Sequence, residues 1–140
     1  MKKFDELLEK DVANYEGEFS SLIQQAPALY RLMTRLLSDR ALPSQMSPLV
    51  IAAIAYFILP GDMIPEDKLG PRGYVDDIYL CAFVANEVMK ASGTQEIIIN
   101  NWDGDDSVLK LIRTILENEN ELLGDNKDSI MEYIGYDQIA

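Results

Sequence analysis

Every residue from Leu49 to Leu59 is apolar or aromatic, so no charge falls on any side of that segment. A run apolar all round predicts a central helix buried on every face. Ser47 and Pro48 suit its start, because Ser caps free N–H groups and Pro is preset for the first helical position. Pro60-Gly61 stops it. A second apolar segment follows Gly73 and runs to Val88-Met89, with Gly93 as its stop. Asp76 and Asp77 fall at the start of this second helix, where negative charge suits the dipole and the free N–H groups. Together the two segments predict a tight helical hairpin over residues 48–91, with Asp62, Glu66, Asp67, Asp76 and Asp77 at its corner.

Upstream, Val12, Tyr15, Phe19, Leu22, Ala26, Leu29, Met33 and Leu36 alternate spacings of three and four, the signature of an a/d seam. Phe4 and Leu8 extend it. The seam predicts a helix over 3–25, weakened at Gly17, then a break near 24–26 and a new helix opened by Pro27. Such a seam closes either on the hairpin of its own chain or against a second chain. Pro27, sitting inside the seam, favours closure within the chain. In the new helix Leu29, Leu32, Met33, Leu36 and Leu37 share the apolar face. Arg31 and Arg35 share another face; they are expected to pair with the chain's own carboxylates or to stay solvated, and an anionic partner is the alternative.

Downstream of the hairpin, Ser92-Gly93-Thr94 reads as a stop followed by a new cap. Residues 95–102 read as a short helix or an extended segment, because Ile97-Ile98-Ile99 is β-branched. A helix is predicted over 107–123, ended by Gly124, and a last one over 127–133 or slightly beyond, using Ile130, Met131 and Ile134. The sum is a single all-α domain over residues 1–140, a small bundle of about six to eight helices around the central hydrophobic hairpin.

The stretch AYFILPGDMIPE followed by GYVDDIYL resembles the YkvA-like family of small helical domains of unknown function. That pattern is a hydrophobic helix, Ser-Pro-x-Asp-Leu-Ile-Pro-Asp, a short loop, Gly-Tyr-x-Asp-Asp and a second hydrophobic helix. Pro60, Asp62, Ile64, Pro65, Gly73, Tyr74, Asp76 and Asp77 match it; Gly61, Met63 and Glu66 depart from it. The loop here is also more charged, with Glu66, Asp67, Lys68 and Arg72. The resemblance covers under a third of the chain. It implies a small helical fold, brings no agreed activity, and implies membrane association for some members.

Charge narrows the partners. The formal net charge is −12, from 24 acidic and 12 basic residues. Nucleic acid rewards clustered Lys and Arg, so it is excluded as an expected partner. Simple electrostatic binding to anionic lipid is disfavoured for the same reason. The uncharged run from Ala41 to Gly61 holds too few apolar residues in a row for a transmembrane helix, which needs about 20. Met1-Lys2-Lys3 leads into the acidic, amphipathic Phe4–Glu9, so no secretory signal is expected and the location expected is cytoplasmic.

The chain has no His, which removes Ser-His and Cys-His catalysis and the commonest zinc ligand. Its single cysteine, Cys81, lies in the second apolar segment and reads as a buried, inert thiol. No Gly-rich phosphate loop, C-x-x-C or G-x-S-x-G motif is present. Tyr56, Tyr74 and Tyr79 read as packed aromatics, with the Tyr74 hydroxyl within reach of the acidic corner.

Two constellations remain. Asp62, Glu66, Asp76 and Asp77 could together hold a hard cation such as Mg²⁺, Ca²⁺ or Mn²⁺, and a bound metal could activate water. The simpler reading makes them turn and cap residues, and that reading is preferred. Asn101–Asp106 looks like a calcium loop but fails on register: Gly104 at the sixth position puts Ile99 first and Lys110 twelfth. No cofactor is otherwise expected. The leading expectation is a non-enzymatic helical module for protein interaction or oligomerisation, with a protein partner or a second copy. The alternatives are a membrane-associated helical protein and a carboxylate-based metal-binding domain or metal-dependent hydrolase.

Overall fold

The structure, a computed structural model, describes residues 4–17, 19–58, 74–104 and 107–124. All regular structure among the described residues is helical, so the fold class is all-α. In chain order the elements are α1 (Phe4–Val12), α2 (Ser20–Ile23), α3 (Ala26–Ser38), a 3₁₀ turn (Ser44–Met46), α4 (Ser47–Ile58), α5 (Val75–Ser92), α6 (Glu96–Asn100), α7 (Val108–Glu117) and α8 (Glu119–Leu123).

The enclosed helix is α5. Every residue from Val75 to Ala82 is buried, and Val84, Ala85 and Val88 continue the buried set. It packs against α3, α4, α6, α7 and α8. This corrects the expectation that α4 is the helix buried on every face. α4 buries Val50, Ala53, Tyr56 and Phe57, but leaves Pro48 exposed and Ile51 51% exposed. An apolar run states only that burial is favourable; whether a helix is enclosed depends on how many others pack around it, and α4 has its main contacts with α3 and α5.

The N-terminal seam closes within the chain. Leu8, Val12, Ala26, Leu29, Met33 and Leu36 are buried in one core cluster, with Tyr15, Phe19 and Leu22 packed partly against it. The expected helix over 3–25 is corrected, because α1 ends at Val12 and the short α2 begins only at Ser20. Two residues mark the break that follows. Phe19 takes the left-handed conformation at φ 61°, which no helix interior uses. Gly17 lies against the Tyr15 ring, where a Cβ would come within 2.5 Å of the hydroxyl oxygen. Gln24 Nε2 closes the turn by donating to the Tyr15 carbonyl at 2.9 Å. Pro27 sits in the first turn of α3, as expected of a helix opener. Leu37, assigned to the apolar face of α3, is instead 40% exposed.

Local capping shows the same mixture. Ser47 does not cap α4; it is already helical at φ −55° and ψ −45°, and the 3₁₀ turn runs straight into the helix. Gly93 ends α5 in the left-handed region at φ 76°, and the Thr94 hydroxyl accepts the Glu96 N–H at 3.1 Å to start α6. Residues 96–100 are helical despite their β-branched run, with Ile97 and Ile98 buried. The single helix expected over 107–123 is two, divided at Asn118. Its side-chain amide donates to the Thr114 carbonyl at 2.7 Å, so the side chain competes with the helical ladder. Ser107 caps α7 by accepting the Lys110 N–H at 3.4 Å. The helix expected over 127–133, with Ile130, Met131 and Ile134, lies outside the described residues.

Two lateral ties hold the helices in register. A row of rings runs from α1 to the start of α5: Phe4 to Tyr30 at 5.0 Å, Tyr30 to Phe57 at 5.6 Å, and Phe57 to Tyr74 at 6.3 Å. On another side Arg31 donates to Glu9 at 2.7 Å and to Asp103 at 2.8 Å, while Arg35 lies 2.8 Å from the same Asp103 carboxylate. Burial works against the Arg31 charge, but the bonds it donates to Asp103 and Glu9 more than offset this and raise its pKa. The two arginines therefore pair with the chain's own carboxylates, as expected.

Candidate functional site

The first turn of α5 gathers the residues that sequence reasoning singled out. Asp76 and Asp77 are 0% and 1% exposed, and Tyr74 immediately before them is 7% exposed. They are brought inside because α5 begins within the core, so its first free N–H groups cannot turn to water. Asp76 answers one of them: its Oδ1 accepts the Asp77 N–H at 3.1 Å. Its Oδ2 accepts the Tyr56 hydroxyl from α4 at 2.9 Å. Asp76 thus serves the helix start and also bridges α4 to α5. Asp77 lies one turn before Cys81, whose thiol pKa is raised well above its ordinary value by burial and then by the Asp77 charge. Cys81 is wholly buried, as its place in an apolar segment suggested.

The three tyrosines near the core hairpin each donate to a carboxylate. Tyr56 reaches Asp76 from α4. The Tyr74 hydroxyl donates to Asp11 of α1 at 2.6 Å. Tyr79, on α5, donates to Glu119 at the start of α8. Burial and then this bond push the Tyr79 pKa up. The signal that could have found these pairs was the need of a buried phenol for a partner at its polar tip. The sequence offers too many carboxylates to say which one.

Asp62, Glu66 and Asp67, the other acids of the expected corner, lie outside the described residues. Among the described residues no group of three or more His, Cys, Asp or Glu side chains is placed to hold a metal ion. In the loop after α6, Asn101 donates to Asp39 at 2.9 Å and to the Ile97 carbonyl at 2.8 Å, and Asp103 is held by the two arginines. Those side chains pin the loop to α3. The Asn101 bond and then the Ala41 N–H lower the Asp39 pKa.

The outward side of α4 is a second candidate of another kind. Pro48 and Ile51 are exposed and Ile54, Ala52 and Ala55 are half-buried, so this side of the helix offers water no charged group. Among the described residues no helix is long and apolar enough to cross a membrane.

The described chain is therefore a small all-α protein, organised around an enclosed helix that starts with two buried aspartates. Within it, residues 48–83 match a family described as "Protein of unknown function (DUF1232)". The match spans α4 and the first half of α5, and so includes Tyr56, Asp76, Asp77 and Cys81. The chain is also similar to "Uncharacterized protein ORF9" of Methanothermobacter thermautotrophicus, at 28% identity over 134 residues, covering 96% of this chain and 91% of that protein. No solved structure matches it.

Proposed function

We propose that this chain is a non-enzymatic, cytoplasmic helical module that works by protein contact, with a protein partner or a second copy seated on the outward side of α4. The observation that carries the reading is the composition of α4. Charged residues make up 26% of the chain, yet α4 has none, and Ile51 at its middle stays 51% exposed. An uncharged apolar strip on a charged surface is what a contact surface offers. The net charge of −12 sets protein contact above attachment to anionic lipid. The absence of His supports a non-catalytic role. The proposal keeps the YkvA-like resemblance of residues 48–91 as its family setting. The test is a photo-crosslinking side chain at position 51 in the cell, with a second at exposed Glu96 as control. A discrete adduct from position 51 alone, either a covalent dimer or one heterologous product, supports the reading. No adduct, or the same products from both positions, overturns it.

A second reading, that the start of α5 helps bind a hard divalent cation, is favoured by the burial of two adjacent carboxylates, Asp76 and Asp77. Asp62 and Glu66 would complete such a site. Its test is a thermal melt after EDTA, then with Mg²⁺, Ca²⁺, Mn²⁺ or Zn²⁺ added singly. A ligand at 100 times its Kd adds about 2.7 kcal/mol, a rise of several degrees in Tm. A rise with one ion, lost in Asp77→Asn, supports the site; melts that coincide under all conditions dismiss it.

A further inference from the structure

We draw no further inference here: the strongest candidate, the open groove between α5 and α7 lined by Asn86, Met89, Ile112, Arg113, Leu116 and Glu117, carries nothing because the structure does not show what covers it.

Discussion

Replacing Tyr56 by Phe removes one oxygen atom and leaves the ring that packs in the core. The hydroxyl donates to Asp76 Oδ2 at 2.9 Å, with Tyr56 3% exposed and Asp76 0% exposed. Water has no ready path to replace the lost donor at that depth. A hydrogen bond to a charged group contributes about 1.5–3 kcal/mol net, and a buried acceptor that loses its donor bears a similar cost. Tyr56→Phe should therefore destabilise the fold by about 1.5–3 kcal/mol, or roughly 4–10 °C in Tm for a chain of this size. Asp76→Asn perturbs the same bond from the other side. The double variant should cost less than the sum of the two singles by about 1–2 kcal/mol, because both remove one interaction. Urea unfolding followed by the fluorescence of Trp102, the one tryptophan, measures all four proteins. The reasoning is refuted if Tyr56→Phe stays within about 0.3 kcal/mol of the parent, or if the singles add.

Two further outcomes follow from neighbours of that bond. Cys81 should resist an aromatic disulfide reagent at pH 8 in the folded protein and react fully in urea, since the thiol is wholly buried and its pKa is raised; rapid reaction in native buffer would contradict its placement. For Tyr79 the folded pKa is raised above the unfolded value of about 10, so its contribution is fully present below that pH and is lost as pH rises. Urea melts between pH 8 and 11 should show stability falling at the alkaline end, and Tyr79→Phe should flatten the fall; an unchanged slope would remove Tyr79 as its source.

Where a signal was local, the sequence carried it. Gly93 as a stop, Thr94 as a cap and Pro27 as a helix opener each depend on one residue's own backbone or side chain, and each stands in the structure. The buried seam was also legible, because its period follows from helical geometry alone. The errors arose where a neighbour decided. α4 and α5 are both apolar enough to be the enclosed helix, and only the packing of α6, α7 and α8 on α5 separates them. The break between α1 and α2 holds Gly17 against the Tyr15 ring and the left-handed Phe19, neither of which a period registers. For the candidate site the place of Asp76 and Asp77 at a helix start was legible, and their burial was not. The Tyr56–Asp76 bond was not legible, since it joins residues of two different helices twenty positions apart.

The position of α5 has a consequence for synthesis on the ribosome. Its neighbours lie on both sides of it in the chain, with α3 and α4 before it and α6, α7 and α8 after it. When Ser92 has just emerged, the face that α7 and α8 will cover, including Tyr79, is still open to solvent. That face gains its cover only once the chain has been made through Leu123. The nascent protein thus passes through an interval with an apolar helix half-clad, the kind of surface that holding chaperones engage.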